Sequence, residues 1–355
     1  MINDTLLYIH IPFCDSRCHY CSFNTYVDKL YLKESYMKAL MRQLRADLKR
    51  FRIEKGQIST LFIGGGTPST IEPALYEPIF ETLEAYLKDN AEITTEANPN
   101  SATKAWLEGM RELGVNRVSF GVQSFFDDKL KLLGRAHGSI QAVKAVENAK
   151  KAGFGTISLD LIYATMLDTA QRVEKELKSA LELPIEHLSA YELSIEEGTP
   201  FQRRPEVRVE SLEQANIIKE LLESVGWEQY EISNFGKKRC GHNLGYWQYK
   251  PYLGIGSGAV GRVDSSRYYP HQAVERYIDD PLFKEKEQLS PSQILEERIF
   301  LGLRSCVGVA EEILDGIMKE RARLLKKEAK LRFSNGRWFN RDYLLSDEVA
   351  LFIIG

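Results

Sequence analysis

Residues 6–21 read LLYIHIPFCDSRCHYC, so a short apolar run directly precedes three closely spaced cysteines, Cys14, Cys18 and Cys21. The run from 6 to 11 is rich in leucine and isoleucine, which predicts a buried β-strand. The cysteines therefore lie on the loop that follows the carboxyl end of a first strand. This stretch predicts a protein whose first strand leads into a metal-binding loop.

Three thiolates at this spacing can bind one face of an iron–sulfur cluster, since such clusters are held by closely spaced cysteines. Three ligands leave one iron open, whereas a structural zinc site normally has four ligands. His19 lies between two of the cysteines and would strain the loop as a fourth ligand. Two alternatives stay open at this point: a zinc knuckle completed by Cys240, and surface cysteines without a role.

Composition limits the class of protein. The 355 residues carry a formal net charge of −3, which gives no reason to expect a nucleic-acid partner with its usual need for a basic surface. Five cysteines are an odd number, and their clustering does not resemble a disulfide framework. The amino terminus lacks the features of a signal peptide, and no apolar stretch approaches the ~18 residues of a membrane span. We expect a cytoplasmic protein whose membrane association, if any, is peripheral.

Strand and helix patterns alternate through the first two thirds of the chain. Short β-branched or apolar runs predict strands at 6–11, 60–63, 92–96, 117–121, 156–162 and 187–193. Helical patterns lie between them at 31–51, 73–87, 103–113, 139–152 and 169–183. This alternation predicts an α/β fold with a parallel sheet. Periodicity alone does not separate a closed barrel from an open sheet.

In both architectures, functional residues lie at the carboxyl ends of the strands. The chain places polar residues and glycines there. Cys14 follows the first strand, and the turn Gly64-Gly65-Gly66-Thr67-Pro68 follows the second. Glu96 lies at the end of the third strand, Gln123 after the fourth, and Asp160 within the fifth. We expect these residues to meet at one edge of the sheet and to form one site.

The pattern changes after about residue 198. One more helix–strand unit is predicted at 212–225 and 230–233, followed by a glycine-rich and aromatic segment at 234–269. From residue 290 the pattern is mainly helical, and Asn335-Gly336 predicts a hairpin turn. We therefore divide the chain into a barrel domain, residues 1–270, and a small C-terminal domain, residues 271–355.

The Cys-x3-Cys-x2-Cys loop after a first strand resembles that of the radical S-adenosylmethionine (SAM) superfamily. The flanking YIHIPFC and CSFN resemble its HemN/HemW branch of oxygen-independent coproporphyrinogen III oxidases and haem chaperones. The resemblance implies a partial (β/α)6, TIM-like barrel with a small, mainly helical C-terminal domain of the HemN type. It also implies a [4Fe–4S] cluster on Cys14, Cys18 and Cys21, whose open iron is chelated by SAM. An electron donor would reduce the cluster, so that cleavage of SAM yields a 5′-deoxyadenosyl radical.

The resemblance assigns SAM contacts to the predicted strand ends. The glycine turn leaves its backbone open to a ligand, and Arg135 matches the arginine that meets the SAM carboxylate, for which a guanidinium fork is suited. The full set of matches is Tyr8, Tyr20, Gly64, Gly65, Gly66, Thr67, Glu96, Gln123, Arg135 and Asp160. Residues 163–169 read YATMLDT where the family carries a Gly-Leu-Pro-like turn, so no contact is assigned to that loop.

Two features separate the activities within the branch. The oxidases resemble Cys-x3-Cys-x2-Cys-x-Cys with a long preceding extension, whereas this chain has Phe23 at the fourth position and thirteen residues before Cys14. The segment 242–247, HNLGYW, resembles the His-Asn-x-x-Tyr-Trp motif of the haem chaperones. His242 or Cys240 can ligate haem iron, and the remaining predicted haem-binding residues are Asn243, Tyr246 and Trp247. The alternative is structural: His242 hydrogen-bonds a loop and the aromatic residues belong to the core.

We therefore expect a protein that binds a [4Fe–4S] cluster, SAM and haem and that delivers haem to acceptor proteins. The alternative activity is the oxidative decarboxylation of coproporphyrinogen III to protoporphyrinogen IX. A third hypothesis is a zinc-stabilised scaffold without SAM chemistry. No catalytic residue is assigned, and the sequence leaves open whether the protein is an enzyme.

Overall fold

The computed structural model describes residues 4–355. Six strands that follow one another along the chain also lie side by side, and each pairs in parallel with the next. They are β1 (Thr5–Ile11), β2 (Ile58–Gly65), β3 (Leu87–Ala97), β4 (Arg117–Gln123), β5 (Thr156–Tyr163) and β6 (His187–Glu192). The predicted α/β fold with a parallel sheet is confirmed.

Helices connect these strands and cover the convex face of the sheet. They are α1 (Lys33–Arg50), α2 (Pro73–Leu83), α3 (Lys104–Glu112), α4 (Asp127–Leu133), α5 (Ser139–Lys151), α6 (Ala170–Leu181) and α7 (Leu212–Ser224). The start of α3 shows how the sequence sets such bounds, because the Thr103 side chain accepts a hydrogen bond from the backbone N–H of Trp106. The second helix ends before its predicted end at residue 87, since Leu87 already begins β3.

The glycine-rich segment contains more regular structure than the sequence predicts. Beyond β6, β7 (Glu228–Gln229) and β8 (Asn234–Gly236) pair antiparallel, and α8 (Gly241–Trp247) follows. On the other side, β9 (Tyr252–Ile255) pairs in parallel with β1. The sheet continues antiparallel through β10 (Gly261–Val263), β11 (Ser266–Tyr269) and, after α9 (Val274–Asp279), β12 (Glu285–Gln288). With β12 and β7 at its two edges the sheet is open, which confirms the partial barrel.

The predicted strand at 230–233 is wrong, because these residues only connect β7 to β8. Their hydrogen-bonding partner lies far along the chain. Glu231 forms an isolated antiparallel bridge with Ser305, and the N–H of Cys306 donates to the carbonyl of Tyr230 at 2.8 Å. The segment therefore attaches the C-terminal part of the chain to the sheet instead of extending it.

The C-terminal part is small and mainly helical, as predicted. It contains α10 (Pro291–Leu303), β13 (Val309–Ala310), α11 (Gly316–Lys327), β14 (Leu331–Ser334), β15 (Arg337–Asn340) and α12 (Ser346–Ile354). Asn335 and Gly336 have φ of +50° and +72°, as a type I′ turn requires, so the predicted hairpin is confirmed. Its own hydrophobic core includes Ile299, Trp338 and Ile353.

The main sheet and the second hydrophobic core meet between β12 and α10. The strand β12 extends the main sheet beyond residue 270, and the second core begins with the helix α10. The division into residues 1–270 and 271–355 stays a prediction. Within residues 4–355, no helix combines the length and the apolar character needed to cross a membrane.

The concave face of the sheet carries polar side chains that can contact a ligand. Along β1, the alternate residues Leu7, Ile9 and Ile11 join the main hydrophobic core, whereas Tyr8 and His10 face a cavity. This follows from the two-residue period of a strand. The same period turns Glu96 of β3 toward the concave side.

Candidate functional site

A cavity of about 390 Å³ opens at the carboxyl ends of the parallel strands; we call it the cluster cavity. It brings together the predicted cluster and SAM residues from six separate loops and strand ends. Those that line it are Cys14, Cys18, Tyr20, Cys21, Gly65, Gly66, Thr67, Glu96, Gln123, Arg135 and Asp160. Of the other two, Tyr8 lines a neighbouring cavity, and Gly64 lies behind the turn, against Phe62 and Glu96.

The three cysteines face this cavity as half-buried free thiols. The Thr67 hydroxyl donates to Sγ of Cys14 at 3.3 Å, and Nη1 of Arg135 donates to Sγ of Cys18 at 3.2 Å. Burial raises the pKa of Cys14 to about 11 and also raises the pKa of Cys21, so these two thiols favour their protonated forms. Within residues 4–355, no three His, Cys, Asp or Glu side chains are close enough to hold a single metal ion.

The donor set fits a cluster, since three thiols on one loop face one cavity and two of the sulfurs already accept hydrogen bonds. Such donors orient and stabilise thiolate ligands. The assignment of Cys14, Cys18 and Cys21 as the ligands stays a prediction.

His19 anchors the cysteine loop and does not face the cavity. Its backbone N–H donates to the carbonyl of Leu133 at 3.0 Å, and its Nδ1 lies 2.9 Å from the carbonyl oxygen of Leu132. Its ring packs edge-on against Phe201 at 5.7 Å. Gly134 has a φ of +73°, and a Cβ there would lie 2.9 Å from the His19 ring, so a glycine is needed where α4 ends.

The glycine turn holds β2 close to the cysteine loop. The N–H of Gly66 donates to Ile11 and the N–H of Thr67 donates to Phe13, both at 2.7 Å. Gly65 has a φ of +113°, and a Cβ there would lie 2.4 Å from Nδ1 of His10. Position 65 therefore requires a glycine, because its backbone conformation disfavours a side chain and the His10 ring leaves no room for one.

Two carboxylates lie on the cavity floor. Glu96 accepts a hydrogen bond from the N–H of Gly65 at 3.0 Å, and Asp160 accepts one from the Ser119 hydroxyl at 3.2 Å. Burial, together with the neighbouring charge of Asp160, raises the pKa of Glu96 to about 7. Burial also raises the pKa of Asp160. A cationic ligand that approaches these groups would favour their ionised forms.

Arg135 is positioned across the cavity from the carboxylates. Its Nη2 donates to the carbonyl of Gly121 at 2.6 Å, while its buried Nε has no hydrogen-bond partner within residues 4–355. Gln123 adopts a left-handed conformation with a φ of +66° beside Gly121, where a Cβ would lie 2.9 Å from its amide nitrogen. Arg135 lines the cavity, and a guanidinium there suits an anionic ligand group.

The sequence reasoning missed some of the lining. Tyr191, at the carboxyl end of β6, lines the cluster cavity and is 42% exposed. Functional residues lie at the carboxyl ends of parallel strands, and the same expectation for β6 would have identified Tyr191. Residues 163–169 do not line the cavity, because their backbone turns back and Asp168 accepts a hydrogen bond from the buried Lys129 at 2.7 Å.

A second, larger cavity of about 930 Å³ lies beside the first, between the sheet and α10. We call it the aromatic cavity, because its walls include Tyr8, Phe23, Tyr246, Tyr249, Tyr252 and Phe300. It shares Phe23, Gly65 and Glu96 with the cluster cavity. Most of its cations are already paired: Arg267 contacts Glu297, whose carboxylate also accepts from the Tyr249 hydroxyl at 2.6 Å.

The HNLGYW segment forms α8, which fills the amino-terminal half of the concave face. Glu92 caps the helix, since its carboxylate accepts from the N–H groups of Gly241 and His242, both at 3.0 Å. Gly245 packs so closely on Leu6 that a Cβ there would lie 2.5 Å from Cδ1 of the leucine. Leu6 pairs with Thr60, and Ile11 pairs with Gly65 near the cysteine loop. This helix therefore contacts the end of β1 and β2 that lies away from the cluster cavity.

The residues of this segment differ in accessibility. His242 is 1% exposed, with Nδ1 lying 2.7 Å from the Thr60 hydroxyl and Nε2 2.9 Å from the Tyr246 hydroxyl. Burial lowers the pKa of His242 to about 3, so its ring is neutral. Cys240 is fully buried near Glu92, and burial raises its pKa to about 12. Asn243 and Trp247 are half-buried, and Tyr246 faces the aromatic cavity.

Comparison with known sequences identifies the class as the radical SAM superfamily. The model of the radical SAM superfamily matches residues 8–175, which include the cysteine loop and the residues from Glu96 to Asp160. In structure, the chain is similar to the coproporphyrinogen III oxidase HemN of Escherichia coli, with a TM-score of 0.82 and 19% identity over 99% of this chain and 91% of that one.

Curated relatives narrow the class. The heme chaperone HemW of Bacillus subtilis is 35% identical over 86% of this chain and 84% of its own length. The heme chaperone HemW of Escherichia coli is 38% identical over 72% of this chain and 70% of its own length. A mitochondrial radical SAM domain-containing protein 1 from Danio rerio is 32% identical over 86% of this chain and 74% of its own length. The chain belongs to the HemN/HemW branch of the radical SAM superfamily, and this membership implies a [4Fe–4S] cluster and SAM as cofactors.

Proposed function

We propose that the protein is a haem chaperone that holds a [4Fe–4S] cluster and SAM in the cluster cavity, binds haem, and passes haem to acceptor proteins in the cytoplasm. The observation that carries this proposal is the identity of 35–38% with bacterial proteins named heme chaperone HemW. Phe23 at the position of a fourth cysteine supports the chaperone over the oxidase.

In this proposal, each side of the cluster cavity has a role of its own. Cys14, Cys18 and Cys21 would hold the cluster, which would supply a metal site for SAM and the electron that cleaves it. Glu96 and Asp160 provide negative charge for the cationic and hydroxyl parts of SAM, while Arg135 provides N–H donors for its carboxylate. Tyr20, Gln123 and the turn 64–67 complete the SAM site, and an electron donor reduces the cluster.

The aromatic cavity supports the haem part of the proposal. Its volume of about 930 Å³ lies within the range of small-molecule sites, and its aromatic walls suit a flat apolar ligand. Because Phe23, Gly65 and Glu96 line both cavities, a ligand in the aromatic cavity would lie beside bound SAM. We place haem there, next to the residues His242, Asn243, Tyr246 and Trp247 of α8.

A haem titration of the reconstituted protein tests the proposal. Cluster reconstitution under anaerobic conditions is followed by stepwise addition of ferric haem, with uptake measured by absorbance. We expect saturable binding of about one haem per chain, and transfer of that haem when an apo-globin is added as a general acceptor. Absence of saturable uptake would contradict the chaperone proposal.

The same sample distinguishes the alternative activity. Anaerobic incubation with coproporphyrinogen III, SAM and a reductant should leave the substrate unchanged. Formation of protoporphyrinogen IX would replace the chaperone with the oxidase as the function.

A further inference from the structure

The structure separates the residues of the HNLGYW helix into those that can meet a ligand and those that cannot. Both potential ligands that the sequence suggested are enclosed, since His242 is 1% exposed and Cys240 is fully buried. Tyr246 instead lines the aromatic cavity. A ligand in that cavity therefore meets the phenol of Tyr246 before it can reach the imidazole.

The imidazole of His242 is placed to act on that phenol. Its Nε2 lies 2.9 Å from the Tyr246 hydroxyl, and its Nδ1 lies 2.7 Å from the hydroxyl of Thr60. In the tautomer with the proton on Nε2, Nδ1 accepts the hydroxyl of Thr60 and the Nε2–H donates to the oxygen of Tyr246, as support of a phenolate requires. The three side chains then form a chain of hydrogen bonds that ends at the cavity wall.

The phenol ring is held in a fixed orientation. Tyr246 packs edge-on against the ring of Tyr252 at 4.8 Å and against the ring of His242 at 4.8 Å. Both Tyr246 and Tyr252 line the aromatic cavity. Aromatic pairs of this kind favour edge-to-face contact, so the Tyr246 hydroxyl remains directed along the hydrogen bond to His242.

We propose that Tyr246, and not His242, is the residue of this helix that binds haem iron, as a phenolate supported by His242. The proposal rests on the proposed haem-binding function, and tyrosine is an established axial ligand of haem iron in other proteins. His242 stays neutral, because burial lowers its pKa to about 3, so its ring does not take up the phenol proton. That proton would pass to hydroxide bound to ferric haem, which would leave as water; the phenolate oxygen would take its place, and the iron would stay ferric.

A comparison of two tyrosine variants tests the proposal. Reconstituted full-length protein, Tyr246→Phe and Tyr252→Phe are each titrated with ferric haem, and the complexes are examined by absorption, resonance Raman and electron paramagnetic resonance (EPR) spectroscopy. Tyr252→Phe is the matched control, because it removes a phenol from the same cavity. We expect a phenolate-to-iron charge-transfer band in the wild type and in Tyr252→Phe. In Tyr246→Phe we expect the band to disappear and haem affinity to fall by at least about tenfold, which corresponds to ~1.4 kcal/mol.

Other outcomes decide against the proposal in distinct ways. Unchanged haem affinity and spectrum in Tyr246→Phe would overturn the phenolate assignment alone. An imidazole-type spectrum in the wild type that is lost in His242→Gln would return the role to His242. Thermal unfolding of each variant checks that it is folded. If the wild type takes up no haem, the proposed function falls together with this inference.

Discussion

The two halves of the concave face are built differently, although each contains a recognisable motif. At the carboxyl ends of the strands, polar groups surround a cavity and keep bonding capacity: Nε of Arg135 is unpartnered, and Glu96 and Asp160 are pushed toward their neutral forms. At the amino-terminal half, both ring nitrogens of His242 are bonded within the protein.

This difference shows how to judge a motif residue. A buried polar group whose partners are all internal contributes to packing and orientation, whereas one with unused donors near a cavity is available to a ligand. By this standard, the cluster cavity has groups available to a ligand, and Tyr246 is the residue of the HNLGYW segment that lines the aromatic cavity. The following changes test this contrast, from the largest expected effect to the smallest.

Removing a cysteine of the loop should have the largest effect. In Cys18→Ala, only two thiols remain at the cavity, so we expect no stable cluster and no SAM binding. Iron and acid-labile sulfide per chain measure the loss after anaerobic reconstitution. Cys306→Ser is the control and should reconstitute fully; a cluster retained in Cys18→Ala would remove this cysteine from the ligand set.

Replacing Arg135 should weaken SAM binding without removing the cluster. Lysine keeps the charge of Arg135 but cannot replace its paired N–H donors, and hydrogen bonds to charged groups contribute about 1.5–3 kcal/mol. We expect Arg135→Lys to reduce SAM affinity by roughly 10–100-fold by calorimetry. The control is Arg172→Lys, because Arg172 forms its ion pair with Asp128 at the surface. Equal SAM affinity in both variants would show that Arg135 does not contact SAM.

At the amino-terminal half of the concave face, adding a methyl group where α8 contacts β1 should lower stability. A Cβ on Gly245 would lie 2.5 Å from Leu6, whereas a Cβ on Gly316 would meet nothing within 4 Å. Overpacking typically costs about 1–3 kcal/mol. We expect Gly245→Ala to lower the free energy of unfolding by that amount in urea titrations, while Gly316→Ala changes it little. Equal stability of the two variants would mean that α8 is not packed tightly on β1.

The pH dependence of SAM binding should give the smallest effect. Because burial and Asp160 raise the pKa of Glu96 to about 7, the carboxyl is partly protonated in the free protein near neutral pH. A cationic ligand binds the ionised form better, so affinity should fall as pH decreases below about 7, at most about tenfold per pH unit. Calorimetry at several pH values measures this slope. Glu96→Gln should flatten it, and an unchanged slope in that variant would assign the titration to another group.

Much of the fold could be predicted from the sequence, because the parallel strands alternate with helices of strong periodicity. The positions of Glu96, Gln123 and Asp160 at strand ends also followed from topology alone, which is why the cluster cavity could be assembled in advance. The pairing of the segment 230–233 could not be predicted from the sequence. Glu231 pairs with Ser305, which is remote in sequence, and no local pattern indicates such a partner.

The burial of His242 could not be predicted from the sequence either. A histidine in a motif has the same appearance whether its nitrogens face a ligand or face Thr60 and Tyr246. The parallel strand β9 was hidden for a related reason, since glycines at 254, 256 and 258 obscured its apolar pattern. Packing against β1, not intrinsic propensity, makes this segment a strand.

The measurement that tests the central claim most directly is the EPR spectrum of the reconstituted, reduced protein before and after addition of SAM. We predict the signal of a reduced [4Fe–4S] cluster whose g-values shift when SAM is added. Stoichiometric zinc with no cluster signal would contradict it and would support a zinc-stabilised scaffold.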